Sequence, residues 1–314
     1  MGLVVVSFQE SQLANDFAKE LQVPFVEMRS GFFADTEAYV DLENPALIMN
    51  ANVFFVHQFF FNCSYCAGSI NDQLAKFLIA CDLLKKMGAK SISAVVPYLA
   101  YSRQEKSFFG KFTGPIELYG RFFKNVGLDR VFTCDLHSEE IFDIFDVKLE
   151  ETSLDWFWSE HLRANFKEEI IKNQICIASP DKGGLSRANK IAQILNVPVV
   201  WVKKERIGPD NPVALSLSGD VKSKVVVIID DIIDTGRTAI QASQLLRSHG
   251  ATRVIGVFTH AIFSLGYANN ISESAFDKVF ISDSLPVLLE NSDEKISVCS
   301  INKYLIHNIS QKLS

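Results

Sequence analysis

Residues 225–238 read VVVIIDDIIDTGRT. The β-branched run Val225–Ile229 specifies a buried strand. Two carboxylates, Asp230 and Asp231, stand at its end. A small polar loop, Asp234, Thr235, Gly236, Arg237 and Thr238, then opens a helix beginning near Ala239. Backbone N–H groups at a helix start have no intrahelical acceptor, and together with hydroxyls they make a seat for a phosphate monoester. Carboxylates one loop away accept hydrogen bonds from vicinal hydroxyls and can hold a divalent cation. The run describes a pocket for a phosphorylated pentose.

On either side of this run, strand-like and helical patterns alternate. LVVVSF, ESQLANDFAKELQ, NVFFVHQFFF, NDQLAKFLIACDLLKKMG and SISAVVPY fill the first half. QICIAS, SRANKIAQIL, VPVVWV, RTAIQASQLLRSHG and RVIGVFTH fill the second. That rhythm belongs to an α/β fold with mainly parallel sheets flanked by helices. Leu83–Ala89 followed by Ile92 lines up, 162 residues on, with Leu245–Ala251 followed by Val254. Each reads as a helix end, a Gly in the left-handed conformation and the next strand. Two related domains are expected, 1–150 and 151–300, with the boundary at the acidic LEETSLD. A last helix within 301–314 is expected to dock on the first domain. The segment Lys203–Lys224, rich in Gly, Pro and charge, reads as a long functional loop.

Composition narrows the partners. Of 314 residues, 48% are hydrophobic and 22% charged, which excludes general disorder. Lys plus Arg is 31 against 37 for Asp plus Glu, a net charge of −6, which gives little long-range attraction for nucleic acid. No apolar run approaches the roughly 20 residues of a membrane span, and no secretory signature opens the chain, so a cytoplasmic protein is expected. The six cysteines read as reduced, buried thiols. Cys63-x-x-Cys66 lacks the second pair of a zinc site and reads as a packed strand end, and the aromatic run Val53–Phe61 reads as core.

The 225–238 run is similar to the phosphoribosyl diphosphate binding motif of the type I phosphoribosyltransferase fold. Further segments resemble the ribose-phosphate diphosphokinase family in order along the chain. They are Phe33-Ala34-Asp35-Thr36-Glu37, Asn71-Asp72-x-Leu74, Pro97-Tyr98 through Arg103-Gln104, Asp135-Leu136-His137, Ser179-Pro180-Asp181-Lys182-Gly183-Gly184 and Thr259–Ser264. The resemblance implies two phosphoribosyltransferase-type domains. It implies transfer of the diphosphoryl group of MgATP to the 1-hydroxyl of ribose 5-phosphate, giving phosphoribosyl diphosphate and AMP. Phe33, Asp35, Glu37, Arg103 and Gln104 then contact ATP, and His137 and Asp181 serve Mg2+. Lys204 and Arg206 are the catalytic pair of a flexible loop, and Asp230, Asp231 and 234–238 hold ribose 5-phosphate. A homo-oligomer, dimer or hexamer, is also implied. A non-catalytic regulatory homologue and a phosphoribosyltransferase are the alternatives. The chain departs from the family where Thr36 replaces a usual Gly, at Glu105-Lys106, and in KSFFGKFTGPIEL, where the family's regulatory segment is basic.

Overall fold

The computed structural model describes residues 2–8, 11–43, 45–60, 68–107, 110, 112–206, 213–264, 267–287 and 294–312, without the side chains of 204–206 and 213–215. Cys63 and Cys66, and Phe61 at the end of the aromatic run, lie outside the described residues. The chain folds as two compact units, Met1–Thr152 with Asn302–Ser314, and Ser153–Ile301.

The first unit runs β1 (Leu3–Phe8), α1 (Gln12–Leu21), β2 (Phe25–Phe32), β3 (Ala38–Asp41), β4 (Asn52–Val56), α2 (Ile70–Lys86), β5 (Ser91–Val95), α3 (Pro115–Asn125), β6 (Arg130–Cys134), α4 (Ile141–Ile144) and β7 (Lys148–Thr152). The second runs α5 (Asp155–Asn165), α6 (Lys167–Ile171), β8 (Ile175–Ser179), α7 (Leu185–Leu195), β9 (Val199–Arg206), β10 (Val213–Ser218), β11 (Val225–Ile233), α8 (Arg237–Ser248), β12 (Arg253–Ala261), α9 (Tyr267–Ser272), β13 (Lys278–Ser282) and β14 (Ile296–Cys299). The final helix, α10 (Asn302–Gln311), belongs to the first unit.

Among the described residues each unit holds one seven-stranded sheet. The orders are β3-β2-β1-β4-β5-β6-β7 and β10-β9-β8-β11-β12-β13-β14. Subtracting seven from the second set reproduces the first. Each sheet is parallel except for one antiparallel edge strand, β3 on β2 and β10 on β9. The 162-residue offset marks equivalent positions. Gly88 and Gly250 both take the left-handed conformation, φ +87° and +91°. Ala89 and Ala251 each donate to the carbonyl five residues back at 3.1 Å. The backbone N–H groups of Ile92 and Val254 donate to Asp129 at 2.8 Å and Asp277 at 2.7 Å. Identical devices at identical positions make the units structural repeats.

Within the boundary stretch, 148–152 form edge strand β7, paired with β6, and a polar sequence suits a strand with one open edge. Two local expectations are corrected. Lys203–Lys224 is not one long loop, because β9 continues to Arg206 and pairs antiparallel with β10, Lys204 opposite Leu215 and Arg206 opposite Val213. The alternation in VALSLS carried that strand signal. β11 does not stop at the carboxylates: it continues to Ile233 because β12 goes on supplying partners, Ile232 beside His260 and Ile233 beside Ala261. Asp230 and Asp231 therefore lie inside the strand, and α8 begins at Arg237 rather than near Ala239.

Both sheets are buried from two sides. Val225–Ile229 and Val254–Phe258 are almost wholly inaccessible, as expected for strands covered on both faces. Cys81, Cys134 and Cys176 are buried thiols outside any disulfide and Cys299 is partly buried; burial pushes the Cys176 and Cys299 thiols up to about 11, so they stay protonated. Among the described residues no helix is long and apolar enough to cross a membrane.

The docking of α10 completes the first core. Leu305, Ile306 and Ile309 join Leu13, Ala14 and Phe17 of α1, and the Asn302 amide donates to Asp16 at 2.7 Å. Replacing the fully buried Leu305 by Ala removes a side chain that the rest of the helix cannot refill, a loss of about 2–5 kcal/mol. Urea unfolding is expected to show a loss in this range; a loss under about 1 kcal/mol would show that α10 is not part of the core.

Candidate functional site

In open α/β sheets, ligands sit beyond the carboxyl ends of the strands where the strand order reverses. In the second unit that reversal falls between β8 and β11, since the chain leaves β8 toward β9 on one side and returns to β11 on the other. The loops that end these two strands are the Ser179–Gly184 segment and the 234–238 loop.

Beyond Ser179, β8 turns away, and that side of β11 faces the loop. Ser179 Oγ donates to the Asp181 carbonyl at 2.7 Å, and Asp181 Oδ1 accepts from the Gly183 and Gly184 N–H groups at 2.9 and 3.3 Å. A Cβ added at Gly184 would lie 2.8 Å from Ser179 Oγ and 3.3 Å from Asp230 Oδ1. Only bare backbone fits against the Asp230 carboxylate. The first loop and the β11 acids thus meet.

Asp231 is buried, and its N–H donates to Asp230 Oδ1 at 3.1 Å. Burial, then the Asp231 charge and its hydrogen bond, then Asp181, push the Asp230 carboxyl well above the usual carboxylate range, with Arg187 opposing. A crowded acid pair held partly neutral suits hydrogen bonds with sugar hydroxyls or the approach of a cation.

At the end of β11 the chain turns through Asp234 and Thr235 into Gly236, the N-cap of α8, at φ +78°. That conformation is open to glycine at little cost. A glycine cap has no side chain to fold back, and no side chain caps α8. The Ile240 N–H donates to the Gly236 carbonyl at 2.8 Å. Arg237 and Thr238, in the first turn, are exposed, and the helix start presents N–H donors to an anion. The Asn270 amide of α9 donates to the Thr235 carbonyl at 2.9 Å. Asn270 is 35 residues away, and no local pattern marks it.

Lys204 and Arg206 lie on the carboxyl half of β9, the neighbour of β8, and their side chains lie outside the described residues. His260 is buried at the end of β12, with Nδ1 2.9 Å from Ser284 Oγ, and Trp158 donates to the neighbouring Thr259 hydroxyl at 3.1 Å. These bonds fix the strand that carries the end of β11.

In the first unit the expected residues also follow parallel strands. Phe33, Asp35 and Glu37 are exposed between β2 and β3, where the Phe33 ring lies 5.2 Å from Tyr39 and the Glu37 N–H donates to Asp35 at 3.1 Å. Thr36 keeps φ +73°, so the turn retains a glycine-like backbone with a β-branched residue in it. Arg103 and Gln104 are exposed beyond β5. A Cβ at Gly114 would lie 1.8 Å from the Gln104 carbonyl oxygen, so glycine there is what lets the two segments cross. The Tyr101 hydroxyl donates to Asn71, joining two of the family-like segments. In the sheet, β2 and β5 stand three strand spacings apart, about 14 Å. His137 is exposed beyond β6, and the Leu136 N–H beside it donates to Glu151 Oε1 at 2.7 Å. His137 and Asp181 belong to different units. Glu151 and Gly114 escaped the sequence reading.

The equivalent reversal in the first unit lies between β1 and β4, and strand register puts His57 where the second unit has Asp230. His57 is buried among Phe8, Phe55, Phe59 and Phe77, and burial, with Lys76 nearby, lowers its pKa to about 3. A neutral imidazole in an aromatic cage offers no carboxylate to a sugar. Of the two repeats, the second carries the acidic pair.

Because the folded chain holds a proton on Asp230 that the unfolded chain releases near pH 4, this site's contribution to stability declines as pH rises from about 4 toward the raised value. Asp230→Asn keeps the shape without the charge. Thermal unfolding between pH 5 and 8 is expected to show a shallower decline, and a higher midpoint at pH 8, than in the wild type. An equal or steeper decline would mean that Asp230 is not held neutral.

A family model described as the N-terminal domain of ribose phosphate pyrophosphokinase matches residues 3–117, and a phosphoribosyl transferase domain model matches 158–275. The ribose-phosphate pyrophosphokinase of Haemophilus ducreyi is 32% identical over 306 residues, covering 96% of this chain and 90% of the relative. That of Helicobacter hepaticus is 33% identical over 288 residues, covering 92% and 88%. The crystal structure of phosphoribosylpyrophosphate synthetase from Mycobacterium smegmatis superposes with a TM-score of 0.87 at 27% identity, covering 100% of this chain and 99% of that one. Motif order, a duplicated sheet with its acids at the second reversal point, and likeness along the whole length lead to one assignment: the chain belongs to the ribose-phosphate pyrophosphokinase family.

Proposed function

We propose that the chain is an active ribose-phosphate diphosphokinase, transferring the diphosphoryl group of ATP to the 1-hydroxyl of ribose 5-phosphate. The observation that carries this reading is the junction in the second unit of an uncapped helix start with an acid pair, Asp231 buried and Asp230 part-buried, and a glycine loop packed against it. An anion seat beside carboxylates matches the two ends of a pentose phosphate.

In this reading the N–H groups and hydroxyls of Thr235–Thr238 hold the 5-phosphate, with Asp234 and Arg237 at the rim, and Asp230 and Asp231 accept hydrogen bonds from the ring hydroxyls. The 1-hydroxyl oxygen attacks the β-phosphorus of ATP, the bond from that phosphorus to the oxygen bridging to the α-phosphorus breaks, and AMP leaves with that oxygen while the hydroxyl proton is released. The transition state is loose, so alignment and charge stabilisation supply the rate. Lys204 and Arg206 neutralise charge on the transferred group. Phe33, Asp35, Glu37, Arg103 and Gln104 bind the nucleotide.

Among the described residues, no three His, Cys, Asp or Glu side chains group to hold a metal. Mg2+ fits such a sparse set, because it is bound mainly through substrate phosphates and water with one or two protein ligands. Asp181, with the β11 acids beside it, and His137 are the residues proposed to meet it. When bound, Mg2+ neutralises phosphate charge. The same reading includes association of copies into a dimer or hexamer.

The test is AMP release from ATP, with Mg2+, with and without ribose 5-phosphate. AMP formation that depends on the sugar phosphate is expected. Nucleotide binding without AMP would instead make the chain a non-catalytic homologue. Lys204→Ala is expected to bind ATP nearly as the wild type while turnover falls by orders of magnitude; near-normal turnover would remove β9 from the chemistry.

A further inference from the structure

We infer that Asn270 is a positioning residue for the sugar phosphate, acting by fixing the orientation of the Thr235–Gly236 peptide. The inference rests on reading 234–238 as the phosphate seat.

Gly236 can adopt either sign of φ with little strain, so the peptide before it is the part of this loop that can turn over most easily. In a trans peptide the carbonyl and the N–H point in opposite directions, and no cis bond occurs among the described residues. Fixing one end fixes the other. The Asn270 amide donates to the Thr235 carbonyl at 2.9 Å, and this commits the Gly236 N–H to the side away from α9. In that state the Gly236 N–H joins the donors of the first turn of α8 around one phosphate. If the peptide turns over, the carbonyl oxygen takes that place and repels the anion.

The helix that presents Asn270 is itself held. Tyr267 stacks on Phe263 with ring centroids 4.0 Å apart and planes 7° from parallel. The Tyr267 N–H donates to the Ser264 carbonyl at 3.1 Å, and Ile271 is buried in the core of the unit. On the other side of the loop, the Ile233 carbonyl accepts from the Ile262 N–H at 2.9 Å and lies 3.4 Å from that of Phe263. The chain after β12 thus braces the loop after β11 at both ends, with Asn270 as its side-chain contact.

Asn270→Ala removes the amide, and Asn270→Asp keeps its size while replacing the donor by a carboxylate that repels the carbonyl. The full chain is titrated calorimetrically with ribose 5-phosphate and separately with ATP, and KM and kcat are measured by AMP release. Both variants are expected to weaken ribose 5-phosphate binding about tenfold, the loss of roughly one hydrogen bond's influence, and to raise its KM, with ATP affinity unchanged and kcat nearly so. Unchanged ribose 5-phosphate affinity in either folded variant, or equal weakening for both ligands, overturns the inference. Wild-type affinity in Asn270→Asp alone overturns it in favour of packing. If the wild type does not bind ribose 5-phosphate, the reading of 234–238 fails and this inference fails with it.

Discussion

The start of α8 depends on Gly236 holding a left-handed conformation, because that turn both ends β11 and leaves the first N–H groups of the helix without a side-chain cap. A Ser, Thr, Asp or Asn at the cap satisfies such donors and stabilises a helix by about 1 kcal/mol. Here the donors stay available, and the stability comes instead from burial: Ala239, Ala242 and Leu246 seat α8 in the core of its unit. An anion seat therefore costs the fold little. The rest of the site follows from strand order, which brings the glycine loop after β8 to the side of β11 that its partner strand has vacated.

The duplicated fold repeats its backbone devices but not its chemistry. The Gly–Ala helix exits and the Asp129 and Asp277 anchors recur at matched positions, whereas the strand position after β4 holds a caged neutral His57 and the corresponding position in β11 holds Asp230. Backbone geometry is shared because both sheets must close the same helix–strand junctions. Side-chain chemistry is free to diverge wherever burial is satisfied by other means, here by four phenylalanines.

Much of this was legible in the sequence. The strand and helix rhythm, the repeat offset and the acidic run before DTGRT rest on periodicity and on Gly and β-branched preferences, which are local. The residues that escaped detection act across the chain. Asn270 bonds to Thr235, Glu151 to the Leu136 N–H, and Gly114 makes room for Gln104, and none of these contacts has a sequence period. The hairpin of β9 and β10 was obscured for a different reason: its Gly and Pro content resembled a loop, while its alternation is that of a strand.

The most direct measurement is a crystal structure of the chain with ribose 5-phosphate bound. The expected result places the phosphate within hydrogen-bond distance of the N–H groups of Gly236, Arg237 and Thr238, with the ring hydroxyls on Asp230 and Asp231. A sugar phosphate seated elsewhere, with the α8 start left to solvent, would contradict the account.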